Sequence, residues 1–345
     1  MGQSMLHAPL ALRVNQSQRS AIGFSTYTIK RSKRLSAKTI VISIINLTAI
    51  TILGSVLLAQ DRPSDPFRAG IEMVSLNVTV TNQLDQFVRN LEGTDFFIFE
   101  DGVKQDVTFF SRRQEPVALS LLLDSSASME DNLATLQAAA VNFVQRLQPM
   151  DVAQVIDFDS RVEILQTFTG RKENLKEAIL QIAAGGSTSL HNAVYLALKE
   201  LAEVQTFEDN ETRRQALVVF SDGEDTSSLI SFEELLDLSK RSETAIYTIS
   251  LRSSSKPQAR GFDEAEFLMR QLAQETGGQI FFANNANDLS SLYAEIADEL
   301  SSQYTLGYVS KNPVRNGSWR NIVVQVNQKN MTPRTKRGYY AQELN

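Results

Sequence analysis

The chain has 345 residues, 42% of them hydrophobic and 21% charged, with two histidines and no cysteine. That length allows about two domains, and the composition supports a packed core rather than global disorder. The lack of cysteine excludes disulfides, thiolate metal sites and a cysteine nucleophile. With only His7 and His191 available, a multi-histidine metal site is excluded too.

Charge is unevenly spread. Residues 1–60 carry seven basic groups (Arg13, Arg19, Lys30, Arg31, Lys33, Arg34, Lys38) and no acid. Taking those seven from 34 leaves 27 basic groups against 40 acidic ones, so the rest of the chain has a net charge of −13. A body this acidic argues against nucleic acid as a partner.

Residues 1–38 are polar and basic without periodicity and read as a leader or cytoplasmic tail. Residues 39–59 are apolar and uncharged. About 20 such residues can span a bilayer core. The basic flank precedes them, which keeps the N-terminus in the cytoplasm and exports the remainder of the chain. Two versions stay open: a signal anchor that holds the protein in the membrane, or a signal peptide cleaved near Ala59 to give a secreted or periplasmic protein. A buried helix of a soluble domain is the third reading. Residues 60–69, with Pro63 and Pro66, form a linker.

Residues 70–115 make a small β domain. Residues 71–81 alternate apolar and polar side chains, as a half-buried strand does. Residues 96–100 and 107–110 are further strands, with Asp101-Gly102 as a tight-turn signal between them. Strand alternation assigns Phe96, Phe97, Phe99, Phe109 and Phe110 to the core of a small β-sandwich.

From residue 116 to 302 strands and helices alternate, which predicts an α/β fold with a doubly wound, mostly parallel sheet. Residues 117–123 are a continuous apolar run, a strand buried on both faces. A helix follows on Leu133, Leu136, Ala140, Phe143, Val144 and Leu147. Residues 153–158 and 161–168 form a hairpin at a sheet edge, around Asp159-Ser160. Helices follow on Leu175, Ile179 and Ile182 and, after Gly185-Gly186, on Val194, Leu198 and Leu201. Residues 216–220 are a buried strand ending in Ser221-Asp222-Gly223. Ser231 and Glu234 form a capping box. Strands over 245–251 and 279–283, with helices over 264–276 and on Leu289, Leu292, Ile296 and Leu300, complete the alternation. Residues 303–345 return to β, with strands over 304–309, 321–326 and 339–340. They are expected to pack with the 70–115 domain.

Three loops carry the chemistry. The first gives Asp124, Ser126 and Ser128 after a buried strand. The second gives Thr188 after Gly185-Gly186, where backbone can approach closely. The third gives Asp222 at the end of another buried strand. In open α/β sheets ligands bind at the carboxyl ends of the strands. All five side chains are hard-oxygen donors, which suit Mg²⁺ first, and Mn²⁺ or Ca²⁺ as alternatives, over Zn²⁺ or Cu²⁺. Two carboxylates only neutralise a dication and leave a coordination position open. The competing reading of Asp124-Ser125-Ser126 is a helix N-cap.

This three-part pattern resembles the metal-ion-dependent adhesion site (MIDAS) of von Willebrand factor A domains. The resemblance implies that Ser126, Ser128 and Thr188 approach the metal closely, while Asp124 and Asp222 bind directly or through water. It also implies a protein ligand that presents an Asp or Glu, and no catalytic residues. The flanks resemble the bacterial exported "VWFA-related" group through Asp95-Phe96, Glu100-Asp101-Gly102 and the closing Gly338-Tyr339-Tyr340-Ala341. The expected function is an exported, metal-dependent, adhesion-type binding module. An envelope assembly scaffold is the alternative, and a metal-assisted hydrolase the least favoured class. A triad of His191 with Ser187 or Ser189 lacks the G-x-S-x-G elbow, and Gly185-Gly186 lacks the G-K-[ST] of a phosphate loop. Glu224 and Asp225 are expected in a solvated loop.

Overall fold

The computed structural model describes residues 73–113, 115–207, 213–221, 225–251 and 264–343. The apolar segment 39–59, the linker and Asp222-Gly223-Glu224 lie outside them. Among the described residues no helix is long and apolar enough to cross a membrane.

Strand β1 (Met73–Asn82) buries Val74, Leu76, Val78 and Val80 by simple alternation. β2 (Phe96–Glu100) turns back through Asp101-Gly102 into β3 (Val103–Gln105). Both turn residues have positive φ, 46° and 81°, the combination a two-residue hairpin of matching twist requires. The sequence places residues 107–110 after this turn as the next strand; the structure inserts β3 there. β4 (Val107–Ser111) belongs to a different sheet. The alternation also corrects the aromatic cluster. Phe96 and Ile98 point inward, Phe97 and Phe99 are half-buried on the other face of β2, and Phe109 is 41% exposed.

Next come β5 (Val117–Asp124), α1 (Leu133–Gln145), β6 (Val152–Phe158), β7 (Val162–Thr169), α2 (Lys172–Leu180), α3 (Leu190–Phe207) and β8 (Arg214–Ser221). They are followed by α4 (Phe232–Arg241), β9 (Ala245–Leu251), α5 (Glu264–Thr276), β10 (Ile280–Ala283) and α6 (Leu289–Leu300). The six strands run in the order β10-β9-β8-β5-β6-β7, parallel except for β7, which pairs antiparallel at the edge. Every residue of β5 is buried, because helices cover both faces. Leu119, Leu121 and Leu123 pack with Phe143 of α1, Ile179 of α2 and Ile296 of α6. Ala118 and Leu122 pack on the other face with Val194 of α3, Leu235 of α4 and Leu272 of α5. From β5 the chain goes first to β6 on one side and later to β8 on the other, so β5 and β8 flank the topological switch point.

The C-terminal strands are β11 (Tyr304–Val309), β12 (Trp319–Val326), β13 (Met331–Arg334) and β14 (Gly338–Tyr340). β11 lies between β1 and β4, and β12 between β2 and β14, giving two four-stranded sheets, β13-β1-β11-β4 and β14-β12-β2-β3. Leu76, Ile98, Leu306 and Tyr308 share the core between them. Trp319 packs edge-on against Tyr340, whose hydroxyl donates to Asp237 of α4.

Two buried carboxylates hold this arrangement. Glu299 of α6 accepts hydrogen bonds from Thr79 of β1 and Tyr247 of β9 and pairs with Arg334 of β13. Glu100, in the Glu-Asp-Gly turn, accepts from Tyr308, Tyr339 and Ser310 and pairs with Arg320. Burial raises the pKa of Tyr247 and Tyr308 above 10.0, and the adjoining carboxylates raise it further. A phenol whose folded pKa exceeds its unfolded one contributes its full stabilisation below the unfolded value and loses it as pH rises beyond. Urea midpoints should therefore be level up to about pH 9 and fall above pH 10. Tyr308→Phe should flatten part of that fall; an unchanged slope would place the alkaline transition elsewhere.

Candidate metal centre

The parallel register sets Leu123 opposite Phe220, which brings Asp124 beside Ser221 at the switch point. Asp124 is fully buried. Its Oδ1 accepts the Ser126 N–H at 2.9 Å and its Oδ2 accepts the Ser221 hydroxyl at 2.6 Å. Ser126 Oγ lies 3.1 Å from Ser128 Oγ. Beyond Ser126 the chain forms a 3₁₀ turn over Ala127–Asn132 before α1 starts. Neither Ser126 nor Asn132 makes a side-chain capping bond, so the N-cap reading of this loop does not hold.

The loops are fastened to one another through their backbones. Gly185 N–H donates to Ser125 O at 2.7 Å, and Ala127 N–H to Gly186 O at 3.1 Å. Those two bonds join the serine loop to the Thr188 loop. The N–H groups of Thr226 and Ser227 donate to Thr188 O at 2.9 and 3.1 Å, and Thr188 N–H donates to Thr226 Oγ1 at 3.0 Å. The Thr188 loop is thereby tied to the segment after β8. Asp124, Ser126 and Ser128 are thus brought together, and Thr188 sits in a loop bonded to theirs. Asp222 follows Ser221 in sequence and lies outside the described residues.

The donor chemistry fits a hard divalent cation: two carboxylates, three hydroxyls, and no nitrogen or sulfur. Among the described residues no cluster of three or more His, Cys, Asp or Glu could hold a metal. A cation here depends on the hydroxyls. Asp157, on β6 next to β5, has its pKa raised by burial, with Asp159 and Glu163 adding to the rise and a Ser125 hydrogen bond opposing it.

Gly186 carries a positive φ of 74°, and a Cβ there would lie 2.8 Å from Asp159 Oδ2. Glycine is needed for both reasons. Gly186→Ala should cost about 1–3 kcal/mol and displace the carbonyl that holds Ala127. Thermal denaturation checks the stability, and a metal titration checks the loop. A variant with unaltered melting would show that the loop relaxes freely.

The triad reading fails on geometry. Ser187 and Ser189 hydroxyls both bond to Ser227 Oγ, while His191 Nδ1 faces the Ile230 carbonyl at 3.1 Å and Asp225 at 3.6 Å. Asp225 is not a solvated loop residue. It accepts the His191 N–H at the start of α3 and the Ser228 hydroxyl, as a capping carboxylate does. Asn192 Oδ1 accepts the N–H groups of Leu229 and Ile230, pinning the rest of that loop to α3. The supporting residues Ser221, Thr226 and Asn192 have no signal in the motif. They emerge only from the fold.

Residues 119–224 match the family model of the von Willebrand factor type A domain. Over 117 residues the chain is 32% identical to the uncharacterized protein sll0103 of Synechocystis sp.; the match covers 32% of this chain and 26% of that protein. The matched part thus spans about a quarter of the curated relative's length. Among solved structures, BatB of Bacteroides thetaiotaomicron is 17% identical, with 54% of this chain and 97% of that chain covered and a TM-score of 0.42. A von Willebrand factor type A protein from Catenulispora acidiphila is 10% identical, with 80% and 76% covered and a TM-score of 0.46. Proximal thread matrix protein 1 of the mussel byssus, with a zinc-occupied MIDAS motif, is 15% identical, with 54% and 48% covered and a TM-score of 0.45.

Proposed function

We propose that this chain, which carries a von Willebrand factor type A domain, binds a protein partner through a divalent cation held by Asp124, Ser126, Ser128, Thr188 and Asp222. Domains of this family generally serve as interaction modules rather than as enzymes, and metal-dependent binding is common among them. The observation that carries the reading is the buried Asp124 carboxylate, with one oxygen fixed by a backbone N–H and the other by Ser221, beside two hydroxyls 3.1 Å apart. When bound, the cation supplies a Lewis-acidic position that an external carboxylate can fill. Of the five proposed ligands Asp124 and Asp222 carry a formal charge, so together they neutralise a dication and no more. Ser126, Ser128 and Thr188 add weak neutral donors. The acidic body opposes an incoming carboxylate at long range, but salt screens that beyond about 8–10 Å. The favoured ion is Mg²⁺, with Mn²⁺ or Ca²⁺ as alternatives, and the partner's determinant is an Asp or Glu.

The basic flank of residues 39–59 supports export, as a membrane-anchored or a secreted form. The rival role is an envelope scaffold in which the same contact locks an assembly. A hydrolase is disfavoured, because the hydroxyls of Ser187 and Ser189 are bonded to Ser227 rather than to His191.

The test is capture of partners from an envelope extract, with and without EDTA, followed by affinity measurement on the retained protein with its exposed acids changed singly to amides. Binding should need the metal and one acid. Affinity indifferent to both treatments would mean that docking happens elsewhere. The identity of the partner separates adhesion from assembly.

A further inference from the structure

At the opposite end of β5 from Asp124 lies a cavity of about 620 Å³. Val117 opens the strand that Asp124 closes, so the two places are about 23 Å apart by strand rise. The cavity sits where the C-terminal ends of α1 and α6 meet the first residues of β5 and β8. Its walls are mostly apolar, from Val117, Phe143, Leu147 and Leu300, with the exposed Met150 also lining it. A volume of this size is in the range that ordinary small ligands occupy.

Glu115, Arg146, Asp151 and Arg214 also line the cavity, and of the two cations Arg146 is exposed and Arg214 is buried. Arg214 is only 6% exposed. It donates to Gln303 Oε1 at 3.2 Å and to the Glu115 carbonyl at 2.8 Å, and both acceptors are neutral. Its Nε is buried with no acceptor. The nearby carboxylates do not close the gap. Both oxygens of Asp151 are taken by backbone N–H groups, of Val117 at 2.9 Å and Gln148 at 2.8 Å. Glu115 meets the guanidinium by hydrogen bond only through its backbone carbonyl. Burial pulls the Arg214 pKa down, and Glu115 and Asp151 offset part of that at longer range. An arginine stays protonated regardless. A buried guanidinium without a hydrogen-bonded counter-ion is costly to the fold and is ready-made for an anion.

We propose that this cavity binds a small amphiphile with an apolar body and a carboxylate head, the head pairing with the Arg214 guanidinium. The pairing supplies the counter-ion that the fold leaves out, and the body covers Phe143, Leu147 and Leu300. The site is independent of the metal centre, so EDTA should leave it unchanged.

Full-length protein in a lipid nanodisc, with an empty disc as blank, would be titrated with octanoate, octan-1-ol and octylamine by calorimetry. Octanoate should bind saturably, at least about tenfold tighter than the alcohol, as loss of a charge-assisted bond implies, and the amine should not bind. Arg214→Gln should remove the preference for acid over alcohol. Because Arg214 also holds Gln303, Ala297→Phe serves as a second variant. It narrows the cavity beside Phe143 and Leu300, keeps the guanidinium, and should weaken octanoate binding. No saturable octanoate binding above the blank would overturn the site. Equal binding of acid and alcohol to the unmodified protein would overturn the role of Arg214. Octanoate binding untouched by Ala297→Phe would place the ligand elsewhere.

Discussion

Asp124→Asn should abolish divalent-cation binding while leaving the fold intact. The amide keeps the shape of the carboxylate, and its oxygen can still accept the Ser126 N–H. Its nitrogen then faces Ser221, whose hydroxyl can turn from donor to acceptor. The stability cost should stay within about 1 kcal/mol. The ligand set loses one of its two formal negative charges. Changes to residues that merely orient ligands cost about 10–100-fold in affinity, so loss of a charged ligand should exceed about 100-fold. Thermal melts give the readout. At a metal concentration about a hundred times its Kd, the unmodified protein should gain about 2.7 kcal/mol, a rise of roughly 5–10 °C. The variant's melting temperature should not move with added Mg²⁺. Asp124→Ala is the harsher change. It leaves the Ser126 N–H without its Asp124 acceptor at a buried position, at about 1–3 kcal/mol. If Asp124→Asn keeps the metal-dependent rise, the cation is not held here.

That contrast depends on Ser221, and Ser221 marks where sequence reading stops. The strand before Asp124 is legible because a strand covered on both faces must be apolar throughout, and β5 is. The hydroxyls after it are legible because their spacing repeats within five residues. The Asp124–Ser221 bond joins positions 97 residues apart, and a serine before Asp222 reads as an ordinary turn residue. Only the parallel register of β5 and β8 makes them neighbours. Thr226 and Asn192 are hidden for the same reason. The short strands escape differently. β3 has three residues, and β13 contains Pro333, which argues against a strand. β13 survives because it lies at the edge of its sheet, where a missing N–H is tolerated.

Charge is the third blind spot. Pattern reading places Glu, Arg and Asp on the surface, and for most positions that is right. Glu100, Glu299, Arg214 and Arg320 are all buried here. Each is held by partners from distant segments, so its burial is a property of the assembled sheets. Glu299 illustrates the consequence. Through Thr79, Tyr247 and Arg334 it ties two sandwich strands and one strand of the central sheet to α6. The flanking sandwich is therefore joined to the α/β layer by oriented polar bonds as well as by apolar packing.

The largest stability effect is expected at Glu100. It is 2% exposed, and its partner Arg320 is 4% exposed. Tyr308, Tyr339, Ser310 and Arg320 all donate to this one carboxylate, from β11, β14, the segment after β11, and β12. Glu100→Ala would leave a buried guanidinium without its counter-ion and the buried Tyr308 hydroxyl without its acceptor. Breaking a buried ion pair by removing one partner costs about 3–5 kcal/mol. Glu100→Gln retains an acceptor for some of these donors and should cost less. Replacing both charges, Glu100→Leu with Arg320→Met, removes the unpaired charge and should recover much of the loss, since apolar substitutes for a buried pair are often neutral or better. Urea denaturation of Glu100→Leu, Arg320→Met and the double variant, against the unmodified protein, gives the coupling energy directly. A Glu100→Ala cost below about 1 kcal/mol, in the range of an exposed pair, would mean that water reaches Arg320 and that the Glu-Asp-Gly turn serves backbone shape alone. A large single cost with recovery in the double variant would identify the charge network, spanning both sandwich sheets, as the feature that fixes their packing.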